Sequence, residues 1–136
     1  MLKARQLRWV SLLFLLSCQL GCQPSQHTDQ SELLLYDSTA ERLTISPATV
    51  PVESLLTMQL QALAAIADIS AEVTGDSMYM GRVPVRFDPL TDNLWQAEFL
   101  LGACTDPNMR WRLMVKIRYQ DGREVLIHQT FQSSWR

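Results

Sequence analysis

The chain has 136 residues, twelve Lys and Arg against fourteen Asp and Glu, and 47% hydrophobic residues. That length suits one small domain, and that hydrophobic share can build a core, which excludes a disordered polymer. Three cysteines are too few for a disulfide-rich scaffold, and a formal net charge of -2 offers no excess of cations.

The first 22 residues, MLKARQLRWVSLLFLLSCQLGC, set Lys3, Arg5 and Arg8 before an apolar run from Trp9 to Leu16. Small and polar residues with two cysteines follow. This is the layout of a bacterial export signal, and the run is far shorter than the ~20 residues that span a bilayer. Leu15-Leu16-Ser17-Cys18 resembles the lipobox of bacterial lipoproteins, in which the cysteine is acylated and becomes the first residue. Gly21-Cys22 is the alternative, with a good small residue before the cysteine but Gln19 where an apolar residue is usual. The pattern favours Cys18. Removing the signal takes three of the twelve cations and none of the fourteen anions, so the mature chain sits near -5. Phosphate binding needs a basic surface, so nucleic acid is not expected as a partner.

The chain divides into a signal segment with its anchor cysteine (1–22), a flexible tether (23–40) and a β-sandwich domain (41–136). Residues 23–32 are polar and aperiodic, and short apolar segments begin near residue 33. Leu43-Thr44-Ile45 stops at Pro47, with Pro51 soon after, which suits an edge or bulged strand. Leu55 to Leu60 is a second strand, and Ala62 to Ala67 reads as a helical turn or a loop. Ile69, Ala71 and Val73 share one face, and Gly75-Asp76 ends that segment. Tyr79, Val83, Val85 and Phe87 share a parity, opposite Arg82, Pro84 and Arg86. Trp95, Ala97, Phe99 and Leu101 alternate with Gln96 and Glu98.

The clearest alternation is near the C-terminus. Trp111, Leu113, Val115, Ile117 and Tyr119 interleave with Arg110, Arg112, Met114, Lys116 and Arg118. Asp121-Gly122 predicts a two-residue hairpin turn, and Val125, Ile127, Gln129 and Phe131 continue on the return strand. Period two over so many segments predicts an all-β, immunoglobulin-like antiparallel sandwich of about seven strands.

Chemistry concentrates in Met78-Tyr79-Met80-Gly81 and in the 102–111 stretch that carries Cys104 and Met109. With Tyr79 in the core, Met78 and Met80 face away from it on a common side. Thioether and thiolate sulfurs are soft donors that select Cu(I). Met78, Met80, Cys104 and Met109 are therefore candidate ligands, with Trp111 as a lid whose indole face attracts a cation. The same residue types also serve as ordinary core filler. If Cys18 is the acylated residue, Cys22 survives and is available to pair with Cys104; if Cys22 is the anchor, Cys104 is the sole free thiol. His27 and His128 read as surface histidines, and Cys104 with His128 lacks a third orienting group for nucleophilic chemistry. Asp68, Glu72 and Asp76 read as scattered carboxylates. The Arg110, Arg112, Lys116, Arg118 stripe reads as a solvated face, or as a surface for an acidic partner or lipid headgroups.

Val-Thr-Gly, Met-Tyr-Met-Gly, Val-Pro-Val, the later Gly-x-Cys, Met-x-Trp-x-Leu-x-Val and the closing hairpin resemble the FixH/YtkA-like group over approximately residues 43–132. These are small extracytoplasmic immunoglobulin-like domains. The resemblance implies copper handling and cytochrome oxidase assembly, with Met78, Met80 and Gly81 matching the Met-x-Met-Gly segment. Members of that group are often anchored by a helix, whereas this chain would be anchored by lipid. The expectation is a non-enzymatic periplasmic lipoprotein. It binds Cu(I) or, alternatively, serves as a non-metal structural or interaction module. Its partners are the membrane and a copper-handling or oxidase-assembly protein. Glutamine after either anchor cysteine lacks the aspartate that retains lipoproteins at the inner membrane, which points to the outer membrane.

Overall fold

The structure is a computed structural model and describes residues 31–135. Cys18, Cys22 and His27 lie outside the described residues. Nine strands are present among them: β1 (Leu33–Asp37), β2 (Glu41–Ser46), β3 (Leu56–Ala62), β4 (Ile66–Gly75), β5 (Arg82–Val85), β6 (Phe87–Thr91), β7 (Leu94–Phe99), β8 (Arg110–Tyr119) and β9 (Glu124–Gln132). They form two antiparallel sheets, ordered β1-β2-β3-β7-β6 and β5-β4-β8-β9, and the sheets pack as a sandwich. No described helix is long and apolar enough to cross a membrane.

The inward parity of each long strand fills the core. Leu43 and Ile45 on β2, Met58 and Leu60 on β3, and Leu113, Val115 and Ile117 on β8 are fully buried. Fully burying a side chain of this kind contributes about 1.5–3 kcal/mol, and these residues hold the two sheets face to face. Of the outward residues of β8, Arg110, Arg112, Lys116 and Arg118 are exposed and Met114 is half-buried, so the alternation read from the sequence is the two-sidedness of a half-buried sheet.

The strand count exceeds the expected seven for two reasons. First, Leu33–Asp37, inside the stretch expected to be tether, is an edge strand paired with β2, so β2 is interior and not an edge. Pro47 lies just past the end of β2 and removes no ladder bond there. Second, the 82–91 stretch changes sheets. Val85 pairs with Ala71 in one sheet and Phe87 with Ala97 in the other. Val83, Val85 and Phe87 keep facing the core as the chain crosses at Arg86, so alternation alone reads as one strand. Pro84 and Pro89 both lie on edge strands, where a missing N–H is tolerated. The 62–67 run resolves as the end of β3, a turn, and the start of β4.

The hairpin also differs from expectation. The Tyr119 N–H donates to the Arg123 carbonyl at 2.9 Å, and the Gly122 N–H donates to the Tyr119 carbonyl at 3.0 Å. The loop is thus Gln120-Asp121-Gly122, three residues closed by Gly122 at φ +86°. This is a turn followed by a left-handed bulge residue, not a two-residue turn.

One polar contact ties the sheets together inside the core. The Tyr119 hydroxyl donates to buried Glu41 Oε1 at 2.6 Å, and Ser38 Oγ donates to Glu41 Oε2 at 2.7 Å. Arg123 stacks over the Tyr119 ring at 4.3 Å. Burial first, and then the bond to Glu41, push the Tyr119 hydroxyl well above its ordinary value of 10.0. A Tyr119→Phe variant is expected to lose about 1.5–3 kcal/mol, the usual worth of a hydrogen bond to a charged group. The pH dependence has a definite sign. The folded state holds the phenolic proton to higher pH than the unfolded chain, so this contribution is complete below pH 10.0 and is lost as pH rises beyond it. Urea unfolding across that range checks it: the alkaline decline should be shallower in Tyr119→Phe, and parallel declines would refute the assignment.

Candidate functional site

Both sulfur-bearing stretches lie at one end of the sandwich. The β4–β5 connection holds Met78 and Met80, and the β7–β8 connection holds Cys104 and Met109. The two connections are laced together. The Asp76 N–H donates to the Arg110 carbonyl at 2.8 Å, and the Arg110 N–H donates to Ser77 Oγ at 3.1 Å. Ser77 Oγ also lies 3.2 Å from Met109 Sδ and 3.5 Å from Asp106 Oδ2. Asp106 caps its own turn by accepting from the Asn108 N–H at 2.9 Å.

Gly75 is what lets the loops meet. A Cβ there would sit 1.8 Å from the Met78 carbonyl oxygen and 2.8 Å from Met109 Cε. The Gly81 backbone, at φ +73°, turns the loop into β5 through a conformation that favours glycine. Val50 and Glu53, at φ 47° and 53°, sit in the β2–β3 connection at the same end. Left-handed non-glycine residues cost about 1–3 kcal/mol each, and such strain concentrates at functional sites.

Cys104 Sγ lies 3.3 Å from Met78 Sδ. The Asp106 N–H points at the same cysteine sulfur from 3.5 Å. Cys104 is 8% exposed and has no disulfide partner among the described residues, while Met78 is 42% exposed, so the pair sits at the surface with one side open. Met80 is half-buried against the core, and its methyl lies 3.9 Å from where a Gly102 Cβ would stand. Met78 thus meets Cys104, and the Met80 methyl lies beside Gly102 in the same β7–β8 connection. Three or more His, Cys, Asp or Glu side chains do not cluster anywhere among the described residues. The soft donors this end offers a cation are its sulfurs.

The geometry revises three expectations. Tyr79 is 90% exposed and not a core residue. Strand β5 begins only at Arg82, so parity does not extend back through Gly81, and loop geometry brings the sulfurs together instead. Met109 is buried, and its sulfur already faces the Ser77 hydroxyl; it underlies the loop. Trp111 is 1% exposed and its indole N–H donates to Ser133 Oγ at 3.0 Å. It is a core side chain set between Gly75 and Phe131 across the sheet, not a surface lid.

His128 lies opposite Met114 on the outer face of the second sheet, away from the Cys104 loop. The basic stripe is compensated along its length. Arg110 and Arg112 both contact Asp76, Lys116 contacts Glu124 at 3.0 Å, and Arg118 contacts Asp68 at 3.6 Å. Arg82 contacts Glu72 at 3.3 Å. The carboxylates that look scattered in the sequence are cross-strand partners. Exposed pairs of this kind contribute only about 0–1 kcal/mol each, but they leave the stripe little net field for an acidic ligand. Sequence reading missed Ser77, the bridge between the loops. Its only signal was a small hydroxyl residue directly after Gly75-Asp76.

No family model matches the chain, and no curated protein matches it in sequence. Two solved structures are similar in fold. A DUF4785 family protein from Legionella pneumophila superposes with a TM-score of 0.53 at 12% identity, covering 71% of this chain and 28% of that one. A DUF4426 family protein from Pseudomonas aeruginosa superposes with a TM-score of 0.51 at 8% identity, covering 77% of this chain and 96% of that one. This chain thus spans little more than a quarter of the Legionella protein's length. At these identities the likeness is one of fold. The β-sandwich expected from the FixH/YtkA-like resemblance stands, while no family match accompanies that resemblance.

Proposed function

We propose that this protein is a lipid-anchored, non-enzymatic binding protein of the bacterial cell envelope that holds Cu(I) through Cys104, Met78 and Met80. The acyl anchor is Cys18 or, alternatively, Cys22, and the periplasmic face of the outer membrane is the proposed location. Copper handling or oxidase assembly, as in the FixH/YtkA-like group, is the corresponding role. One observation carries the copper reading: a thiol and a thioether 3.3 Å apart at an open rim, with the methyl of a second methionine, Met80, beside Gly102. Soft sulfur donors select Cu(I) over the harder divalent ions. In this reading the ion stays monovalent and the chain's part is to hold it. Ser77 and Gly75 hold the Met78 loop against the Cys104 turn, and Met109 cushions it from beneath.

The test is an anaerobic titration against a chromophoric Cu(I) chelator. The expected result is withdrawal of one Cu(I) per chain, with an X-ray absorption edge and shell showing sulfur ligands. Failure to compete at any chelator concentration used, or a shell of nitrogen and oxygen, sinks the copper reading and leaves an interaction module.

A further inference from the structure

We propose that the sulfur-bearing end of the sandwich docks directly on the lipid bilayer surface, through Leu55, Met78, Tyr79, Leu100 and Trp135. The inference rests on the lipid-anchor reading above and deepens it. The first observation is that five of the nine exposed large apolar side chains among the described residues lie in the loops and tail at one end, while Leu34, Leu63, Leu90 and Leu126 lie on strands or at the other end. Tyr79 is 90% exposed, Leu55 56%, Leu100 54%, Trp135 53% and Met78 42%. All five belong to the connections at one end: the β2–β3, β4–β5 and β7–β8 loops and the tail after β9. These loops are joined to one another. The Glu53 N–H donates to the Leu101 carbonyl, and the Ser134 N–H to the Val50 carbonyl. These five apolar residues therefore sit on segments joined at one end of the sandwich. Tyr and Trp, apolar with a polar tip, are the side chains that settle at a membrane–water interface.

The second observation is where the chain enters. Leu33 pairs with Ile45 near the end of β2, and the Ala48 N–H donates to the Ser31 carbonyl at 2.8 Å. The described chain thus begins at the same end as the apolar residues. Only eight residues (23–30) separate Ser31 from Cys22, and twelve (19–30) separate it from Cys18. Eight residues reach at most about 30 Å when fully extended. The ten-residue strands β4 and β8 give the domain a length of about 30 Å. With Cys22 acylated, turning the opposite end toward the bilayer would demand a fully stretched connection. With Cys18 it would demand most of one. The short connection and the apolar end select the same orientation.

The contact is apolar. Arg110 and Arg112 beside this end share Asp76, and the mature chain is net acidic, so anionic headgroups are not what holds it. Docking sets the Cys104–Met78 pair at the membrane surface, where a membrane-embedded partner would exchange a cation with it.

The test uses the mature, acylated protein bound to vesicles of phosphatidylethanolamine and phosphatidylglycerol containing a doxyl-labelled phosphatidylcholine. In a Trp135→Phe background, Tyr79→Trp is compared with Leu63→Trp, which lies at the opposite end and is 80% exposed. Both substitutions are at open positions, so folding is unaffected. The Tyr79→Trp protein is expected to be quenched at least about twofold more strongly than the Leu63→Trp protein, at low and high salt alike. Flotation with the vesicles but equal quenching at the two ends overturns the docking and leaves the anchor standing. Failure to float overturns both. Quenching that vanishes in high salt overturns the apolar contact. The copper titration is independent of all these outcomes.

Discussion

Replacing Met78 and Met80 together with leucine is expected to weaken Cu(I) binding by at least ~100-fold while leaving the fold intact. Substituting residues that merely orient metal ligands already costs about 10–100-fold in affinity, and these two would be donors themselves. Leucine conserves the volume and apolarity of methionine, so the stability cost stays below about 1.5 kcal/mol. The variant thus removes sulfur and little else. Cys104→Ser should do as much, because it removes the sulfur that faces Met78 at 3.3 Å. Met109→Leu separates ligand from support: its sulfur faces Ser77, so affinity should change far less. Competition titrations on the three variants, with urea unfolding alongside, check the set. Stoichiometric binding that survives the double leucine variant would sink the assignment.

The second large effect is expected at a residue without a side chain. Gly75→Ala should destabilise the domain by about 1–3 kcal/mol, the range for forcing atoms into packed space, and should also weaken Cu(I) binding. The added Cβ would stand 1.8 Å from the Met78 carbonyl, which is backbone and cannot rotate aside. The 76–81 loop must move, and Met78 moves with it, away from Cys104. Gly81→Ala is the informative comparison. No atom lies within 4 Å of its added Cβ, but its φ is +73°, so it carries conformational strain of about 1–2 kcal/mol without a collision. Chemical denaturation and the titration together separate the two. Gly75→Ala should shift both, and an unchanged midpoint would mean that the close approach of the loops is not needed.

The parts of the fold legible in the sequence share one property: their environment changes with period two. In β8, Trp111 through Tyr119 meet the core on one side and water on the other, so alternation reports the strand directly. In the 82–91 stretch the same alternation misleads, because a chain that crosses from one sheet to its partner at Arg86 keeps its inward face inward. Tyr79 fails for the opposite reason. It precedes Gly81 and the start of β5, where no ladder enforces a parity. The carboxylates Asp68, Glu72 and Asp76 have no partner in sequence because their partners, Arg118, Arg82, Arg110 and Arg112, are on neighbouring strands.

The sequence by itself determined an all-β sandwich, a two-faced C-terminal hairpin and the residue types able to hold a soft cation. These follow from composition and from local periodicity, which backbone geometry converts into faces. Only the tertiary structure decided which of those residues meet. Cys104 and Met78, 26 residues apart in sequence, meet because their two connections are laced by Ser77 and admitted by Gly75. The exposed Tyr79, Leu100 and Trp135 fall on the end where the chain enters only because strand order folds three loops and a tail together. Period-two patterning reports how each residue sits between core and water. Which loops share an end of the sandwich is set by long-range pairing, and no local pattern carries that information.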